Sequence, residues 1–435
     1  MTSPPESPPL WPLPSPFESY EGFAREALGT MLISDPWAFG RRRFDERPWA
    51  ISGSLRDRLW EVGRSIAALY DELARLVWEE PDLLETFYAY PPYFRAMWLA
   101  SGGAWHGFAR LDAFLCEDGA LRVCEINADT PSGQSDTEGC SAVFRPHAPG
   151  ADLNAEYLPR LRALIEAHIG RLRTLPEAPT VGIVYPTDVP EDLPLIDTYR
   201  RALEGWGYRV VVGSPFNLQR VSGGVGLFGE RLDVLFRHYK TDWWGERSTA
   251  HTLDPPIADP APLEQTLWVL EAEQRGEVAV INPFGAIIAQ DKRTMALAWA
   301  RADALSEAAR ETLRAHIPRT VRLADADLEQ VVAERERWVL KSDFGCESDE
   351  VVIGQLASPE AWAQEVRGAK PERWVVQERF EAAACAEGRV PNFGVYIIAG
   401  ASAGLYVRVS SPGEITAHGA TVIAPFLADD QAPAR

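Results

Sequence analysis

The chain has 435 residues, too many for one ordinary hydrophobic core, so its length predicts two or three packed lobes. Hydrophobic residues make up 46% and charged residues 24%, as is typical of globular proteins. The formal net charge of −20 argues against a nucleic-acid surface, because phosphate binding needs concentrated Lys and Arg, and no apolar run reaches membrane-spanning length.

The N-terminal segment and the cysteines limit targeting and covalent chemistry. Residues 1–20 are rich in proline and lack the basic start and apolar centre of a signal peptide, so we expect a loosely draped arm. The five cysteines are odd in number and form no CxxC pair, and the seven histidines show no HExxH spacing. We therefore expect neither a disulfide framework nor a zinc site, and a cytoplasmic protein with reduced thiols.

In chain order, the first strong signal is helical periodicity over residues 55–90. Two alternating runs follow, "GFARLDAFLCED" and "ALRVCEI", joined by Asp118-Gly119, which predicts a β-hairpin. The segment after it, "CEINADTPSGQSDTEG", is typical either of a surface turn or of an active-site rim. A further helix is predicted over residues 155–172.

A change of composition at "RTLPEAPT" opens a different unit. "TVGIVYP", "YRVVVGSP" and "RLDVLFRHYK" read as strands with a helix after the first, which predicts a small parallel α/β lobe. Beyond residue 277 come the strand "VAVINP", the helix "KRTMALAWARAD" and several strands that end with "NFGVYIIAGASAGLYVRVSS". The predicted parts are the arm at 1–20, a first lobe at 21–176, the α/β lobe at 177–276 and a last lobe at 277–435.

Four polar side chains converge if the two hairpin strands pair. Alternation places Arg110 and Asp112 on one face of the first strand, and Glu125 and Asn127 on one face of the second. Two carboxylates and an amide oxygen form the all-oxygen set that suits Mg²⁺, and an arginine beside them suits a phosphoryl oxygen. The alternative is a solvated hairpin with an ordinary Arg–Asp surface pair.

A second group of polar residues follows residue 277. Lys292 and Lys341 lie near predicted strand ends, where lysines can neutralise nucleotide phosphates. Gln377 and Glu378 end the strand "VVQERF", whose backbone suits an adenine edge while a carboxylate takes ribose hydroxyls. The alternative is a set of solvated surface charges, and neither a Walker GxxxxGK[ST] nor a GxGxxG occurs.

Three further segments are candidates for substrate contact. Arg408 shares a strand face with Tyr406, although a late strand arginine is often a surface residue. "YPTDVPEDLP" and "HYKTDWWGE" follow strands of the α/β lobe, and open α/β sheets bind ligands at the carboxyl ends of their strands. The alternative for the two tryptophans is packing between lobes.

Taken together, these motifs resemble the synthetase half of the glutathionylspermidine synthase family. They occur in the order "ARLDAF", "EINADTPSG", "YPTDVPED", "YKTDWW", "INP…QDK", "VLKSDFG", "VVQERF" and "AGLYVRVS". The Glu-x-Asn-Ala-Asp element is the most specific, and the resemblance spans residues 20–428. It implies an α/β, circularly permuted ATP-grasp fold with an inserted parallel lobe, in which the metal-binding strands precede the phosphate-binding lysines.

The resemblance also implies a role for each matching residue. The metal ligands, for two Mg²⁺ ions, would be Asp112, Glu125 and Asn127. The catalytic residues would be Arg110 and Arg408, which stabilise charge on the transferred phosphate and the acyl centre, and Ser132, which orients the reacting carboxylate with Thr130. The peptide-substrate contacts would be Glu191, Asp192 and Thr241. The residues that cradle ATP would be Lys292, Lys341, Gln377 and Glu378.

Two segments depart from the family pattern. The loop "KSDFGCESDE" lacks the family's proline and carries extra acid, and Asp242 is inserted before Trp243. We still expect a lid around residues 341–349 that excludes water from the reaction.

The sequence therefore predicts an ATP-dependent carboxylate–amine ligase that works through an acyl phosphate, with ATP and Mg²⁺ as cofactors. Its partners would be a small-molecule or peptide carboxylate and an amine, with neither nucleic acid nor membrane. One alternative is a ligase for a different peptide or amino-acid acyl substrate. Another is a non-catalytic, nucleotide-binding relative.

Overall fold

The computed structural model describes residues 9–38, 40–148, 150–246, 261–345, 350–412 and 420–428. Within these ranges twenty β-strands and thirteen α-helices occur. Residues 1–8 of the predicted arm, and residues 346–349 of the predicted lid, lie outside the described ranges. No helix among the described residues has the length and apolar character needed to cross a membrane.

The strands β1–β20 span, in chain order, Leu10–Pro12, Trp37–Ala38, Arg41–Arg42, Phe44–Ile51, Phe108–Leu115, Leu121–Asn127, Thr180–Val184, Arg209–Gly213, Leu218–Val221, Gly224–Leu227, Glu230–Arg231, Val234–Arg237, Ala279–Ile281, Thr320–Arg322, Trp338–Ser342, Val351–Ile353, Trp374–Glu378, Val390–Ile398, Ala401–Ser410 and Thr421–Leu427. The helices α1–α13 span Tyr20–Gly29, Gly53–Glu79, Leu83–Thr86, Pro92–Ala100, Gln134–Phe144, Tyr157–Ile169, Leu193–Gly205, Leu263–Gln274, Ala286–Gln290, Arg293–Ala300, Glu307–His316, Leu328–Ala333 and Pro359–Gly368. Short 3-10 helices include Pro190–Asp192 and Asp242–Trp244.

A seven-stranded sheet in the order β1-β4-β20-β19-β18-β5-β6 forms the centre of the molecule. Adjacent strands of this sheet are antiparallel, except β20 and β4, which are parallel. The predicted hairpin is present as β5 and β6, with Gly119 at φ +80° in its turn. A positive φ is accessible to glycine without steric cost, which is why Asp-Gly favours this turn.

The alternation of side chains gives the central sheet two chemically different faces. On one face, Leu111, Val395 and Val407 belong to the main hydrophobic core, which also contains residues of α2. Helix α2 approaches closely because Gly63 presents no side chain, and a Cβ there would collide with the Ser402 hydroxyl. On the opposite face, β5, β18 and β19 carry polar residues, which include Arg110, beside apolar residues such as Phe108 and Ile398 that belong to a second hydrophobic core.

Two smaller sheets border that polar face. One is parallel, in the order β13-β12-β7-β8, as the α/β pattern predicts, and it takes in Ala279–Ile281, beyond the predicted lobe boundary at 276. The other is antiparallel, in the order β14-β17-β15-β16, and packs on α12 and α13 around its own small core, which contains Trp338, Leu340 and Trp362.

A fully buried ion pair connects the central sheet to the parallel lobe. Asp129, just after β6, accepts a hydrogen bond from Arg237 at 2.8 Å, and the two side chains are 1% and 0% exposed. Its other carboxylate oxygen accepts the Thr241 backbone N–H at 2.5 Å. Asn282 donates to the Asp129 carbonyl at 2.6 Å and also bonds the start of β5 at Gly107. These bonds fix where the hairpin meets the lobe.

Some elements differ from the sequence-based expectation. Residues 10–12, predicted as part of a loose arm, instead form β1, and Leu10 is 0% exposed because it packs in the central core. Residues 134–139, for which a surface turn was one interpretation, begin the buried helix α5. In the predicted strand 231–240 only Val234–Arg237 joins the parallel sheet, and the Asp233 side chain before it accepts the Thr180 N–H at 2.9 Å.

Removal of the Asp129 carboxylate should destabilise the protein, since it leaves Arg237 buried without its anion. We expect Asp129→Ala to lower the free energy of unfolding by about 3–5 kcal/mol, measured by chemical denaturation. The control is Glu166→Ala, which breaks the exposed pair with Arg162 (2.8 Å) and should cost less than about 1 kcal/mol. Equal effects of the two variants would contradict the anchoring role.

Candidate active site

A cavity of about 860 Å³ lies between the polar face of the central sheet, the parallel lobe and the antiparallel sheet. Its lining includes every residue for which a role is predicted, except Lys292 and Thr241. Residues from distant parts of the chain therefore meet in one space, as the motif order implies.

The predicted metal ligands lie side by side on the hairpin. Asp112 is directly opposite Glu125 across the two strands, and Arg110 is opposite Asn127. The Asn127 side chain makes no hydrogen bond to any residue that the structure describes, and its buried amide nitrogen is unpartnered. This leaves its amide oxygen available as a ligand.

Two arginines hold the Asp112 carboxylate from either side. Arg110 donates to both of its oxygens, at 2.7 and 3.2 Å, and Arg408 donates to one of them at 3.0 Å. The Asp112 side chain is only 2% exposed. A cation that binds Asp112 must therefore compete with two guanidinium groups, which an incoming anion could draw away.

The Glu125 carboxylate faces a cluster of positive charge. Burial alone would raise its pKa, but Lys292, Lys341, Arg110 and Arg408 outweigh burial and hold the pKa below its usual range. Lys292 is the nearest, with Nζ 3.7 Å from a Glu125 oxygen. Glu125 is thus ionised and available to a cation at neutral pH.

The predicted nucleotide residues are each held by hydrogen bonds or an ion pair. Lys341, within β15 rather than after it, donates to the Gln377 side chain at 2.8 Å and to the Cys124 carbonyl at 3.0 Å. Lys292, at the start of α10, donates to the Gly345 carbonyl at 2.6 Å. Glu378 pairs with Arg337 at 2.7 Å near the surface.

The loop after β6 enters helix α5 at the cavity wall. The Ser132 carbonyl accepts from Arg110 at 2.9 Å and from the Tyr396 hydroxyl at 2.7 Å. Gly133, at φ +97°, begins α5, and a Cβ there would lie 3.0 Å from atoms of Tyr396 and Tyr406. The loop is therefore fixed by its backbone, while Thr130 and the exposed Ser132 side chain line the cavity.

The end of the cavity near the parallel lobe is acidic. Glu191, Asp192, Asp136 and Asp35 all line it. Burial raises the pKa of Asp136, and Asp192 raises it further, although Asp136 pairs with Arg43 at 2.6 Å. This clustering of carboxylates favours a cationic ligand at that end.

Only part of the segment "YKTDWW" lines the cavity. Lys240 and Trp243 line the cavity, and Lys240 Nζ donates to the Phe344 carbonyl at 3.0 Å. Thr241, predicted to contact substrate, is 0% exposed and lies outside the cavity lining, because its backbone bonds Asp129. In the structure Thr241 stabilises the buried Asp129–Arg237 pair and does not form part of the cavity wall.

Sequence reasoning missed several residues of the site. Gly394 lies opposite Asp112, and a Cβ there would come within 2.7 Å of Arg110 Cδ, so only glycine leaves room for that arginine. Asn392, opposite Arg408, lines the cavity although it is 2% exposed. Both follow from the alternation in "NFGVYI", which could have placed them on the same face as Arg408. Asp136 and Arg43 gave no local signal.

The hairpin residues suit a magnesium ion. Asp112, Glu125 and Asn127 offer oxygen only, which is the donor chemistry that Mg²⁺ prefers. No set of three or more His, Cys, Asp or Glu side chains arranged to bind a metal occurs in the described part of the chain, and the hairpin itself offers two carboxylates. The fit therefore depends on the amide of Asn127 and on the release of Asp112 from its arginines.

The inserted residue Asp242 should make stability depend on pH. Burial raises its pKa from 3.8 to about 6, against the opposing effect of Lys240. Because the folded pKa lies above the unfolded one, ionisation destabilises the fold as pH rises from about 4 to about 6. We expect Asp242→Asn to gain about 2–3 kcal/mol relative to wild type between pH 4 and pH 7, in denaturant titrations. Parallel pH profiles would contradict the assignment.

Comparisons with known proteins find one family that matches part of the chain. Residues 264–427, which contain the predicted nucleotide residues and Arg408, match the family described as glutathionylspermidine synthase preATP-grasp. A search of curated proteins gives no match.

Among solved structures, a glutathione synthetase-like effector from Globodera pallida, in its apo form, has a TM-score of 0.57 at 10% identity, over 96% of this chain and 100% of that one. A candidate gamma-glutamylcysteine synthetase from Methylobacillus flagellatus has a TM-score of 0.39 at 12% identity, over 82% and 85%. D-alanyl-alanine synthetase A from Vibrio cholerae has 0.32 at 11%, over 60% and 77%. At these identities the first similarity concerns the fold alone, and the other two scores are too low to support an argument.

The family match confirms the resemblance that the motifs predict, and the described sheets confirm the mixed α/β class. Residues 264–427 are thus similar to the preATP-grasp domain of the glutathionylspermidine synthase family, and the chain has an ATP-grasp-like fold.

Proposed function

We propose that this protein is an ATP-dependent ligase that joins a carboxylate to an amine through an acyl phosphate. One observation carries the proposal: an all-oxygen ligand set, two arginines and the buried Lys341 line a single cavity, and Lys292 lies behind its wall with Nζ 3.7 Å from Glu125. A surface hairpin would not bury Asp112 to 2% or surround Glu125 with four cations. The family match and the shared fold support the same class of reaction.

The positive groups would bind and orient the nucleotide. Lys292 and Lys341 would meet its phosphates, and the strand that ends at Gln377 and Glu378 would face its base and ribose. Cationic groups fixed in advance stabilise the charge that develops on a transferred phosphoryl group without reorganisation. The hydrogen bonds of both lysines to backbone carbonyls provide that fixation.

Asp112, Glu125 and Asn127 would hold a magnesium ion, which would supply positive charge to offset that of the phosphates. Arg110 and Arg408 would then turn from Asp112 to the anion in transfer. The carboxylate of the first substrate, oriented by Thr130 and Ser132, would attack the terminal phosphorus, and ADP would leave. The amine would first release one proton to water, and its neutral nitrogen would attack the acyl carbon. Phosphate would then leave, and the nitrogen would lose a second proton.

The acidic end of the cavity would accept the amine. Glu191 and Asp192 face that end, and Asp136 lies close enough to Asp192 for the two charges to interact. A protonated amine would be attracted by these carboxylates, whereas a second anionic substrate would be repelled. The reaction needs no covalent enzyme nucleophile, and the Cys124 thiol, whose pKa burial raises to about 12, offers none.

The alternative is a nucleotide-binding relative without catalysis. It shares the lysines and the fold, but it needs neither the hairpin ligand set nor the acidic end. A ligase for another peptide or amino-acid acyl group uses the same machinery and differs only in the cavity wall. Substrate dependence of ATP turnover separates these alternatives.

We expect release of ADP that requires both a carboxylate and an amine. Purified protein with ATP and Mg²⁺ would be assayed against cationic amines crossed with glutathione, amino acids and short peptides. A productive pair should raise ADP release at least about tenfold above either partner alone. ADP release that never depends on the pair, across the whole panel, would favour the non-catalytic alternative.

The metal assignment predicts a specific loss. Asp112→Asn and Glu125→Gln should each lower Mg²⁺-dependent ADP release by at least about a hundredfold, because charge on the phosphates is no longer neutralised. The matched control is Glu117→Gln, an exposed carboxylate in the turn of the same hairpin, which should retain activity. Thermal melts would show that all three variants are folded. Full activity in either ligand variant would refute the assignment.

A further inference from the structure

A buried histidine lies directly behind the acidic end of the cavity. The Nε2 of His238 is 3.1 Å from a carboxylate oxygen of Asp192, and both residues line the cavity. We propose that His238 is a positioning residue that holds the Asp192 carboxylate toward the amine substrate. This inference rests on the proposed function, and it adds that His238 raises the affinity for the amine by orienting Asp192.

The fold fixes His238 firmly. It follows β12 immediately, its N–H donates to the Val184 carbonyl at 2.8 Å, and its side chain is 3% exposed. Its neighbour Arg237 is part of the buried ion pair with Asp129. The imidazole is therefore carried on backbone that is hydrogen-bonded to β7 and adjoins the buried ion pair between lobe and sheet.

Asp192, by contrast, needs an external partner. It ends the 3-10 helix Pro190–Asp192 directly before α7, and its side chain makes no hydrogen bond to a backbone N–H of that helix. Its side chain is 22% exposed and faces His238 instead. Without the imidazole, the carboxylate would be free to rotate toward the helix terminus and away from the cavity.

The hydrogen bonding of the ring favours one tautomer. The Nδ1 of His238 is buried and has no hydrogen-bond partner among the described residues, whereas Nε2 faces a carboxylate. A neutral ring with its proton on Nε2 donates to Asp192 and leaves only a lone pair at Nδ1. Burying a lone pair without a partner costs less than leaving a carboxylate without a donor. The proposal therefore requires the Nε2–H tautomer.

Two substitutions separate positioning from packing. His238→Gln keeps a side-chain N–H that can reach Asp192, and His238→Met keeps similar volume without a donor. Calorimetry would measure the binding of 1,4-diaminobutane and of spermidine, with 1,4-butanediol as the uncharged control. We expect His238→Met to weaken binding of the cationic amine about tenfold, as for a lost hydrogen bond to a charged group. His238→Gln should stay within about threefold of wild type.

Nucleotide binding serves as the internal control. The affinity for the ATP analogue AMP-PNP with Mg²⁺ should stay within about twofold in both variants, because the lysines lie on other elements. Equal losses of amine and nucleotide affinity, equal losses in both variants, or no binding of either amine to wild type would overturn the proposal.

A measurement on the wild-type chain avoids dependence on variant folding. Nitrogen-15 NMR of histidine-labelled protein distinguishes protonated from bare ring nitrogens, with His238→Gln used to identify the signal. A proton on Nε2 supports the proposal, and an Nε2 without a proton overturns it.

The two proposals can fail separately. If ADP release never depends on the amine, yet amine binding responds to His238→Met as expected, the ligase proposal alone is wrong. If ADP release depends on the amine, but its KM is unchanged in His238→Met, the positioning proposal alone is wrong.

Discussion

The buried pair of Asp129 and Arg237 is the interaction on which the site depends. Asp129 follows the hairpin strand that carries Glu125 and Asn127, and Arg237 ends the central strand of the parallel lobe. Two fully desolvated charges are stable only in a fixed, well-bonded geometry, so the pair determines how hairpin and lobe meet. That junction forms the cavity. In the Glu-x-Asn-Ala-Asp motif, Glu125 and Asn127 line the cavity, and Asp129 binds Arg237 of the parallel lobe.

The charges within the cavity divide into two regions. Arginines and lysines surround the Asp112–Glu125 pair, whereas carboxylates cluster near the α/β lobe. The positive region suits the phosphates of a nucleotide, and the negative region suits an amine. The contacts of both arginines with Asp112 also bear on how a metal and a nucleotide would bind. A cation at Asp112 and an anion at the arginines can together replace contacts that neither can displace alone. We therefore expect metal and nucleotide to bind cooperatively.

Local patterns predicted the parts of the site that obey strand periodicity. Asp112, Glu125 and Arg408 alternate with apolar residues, so their shared face could be inferred before the sheet was known. The rest depended on contacts that no local pattern contains. Strand β4 is interrupted by charges and a proline, and α5 is polar and contains glycine, so neither resembles its own element class. The roles of Thr241 and Asp136 depend on partners more than ninety residues away.

The most direct measurement of the central claim is a crystal structure with Mg²⁺ and AMP-PNP. We predict the metal on oxygens of Asp112, Glu125 and Asn127 at about 2.0–2.1 Å, the phosphates against Lys292 and Lys341, and Arg110 and Arg408 released from Asp112. A nucleotide bound elsewhere, or a metal held without the hairpin residues while both arginines keep their contacts with Asp112, would contradict it.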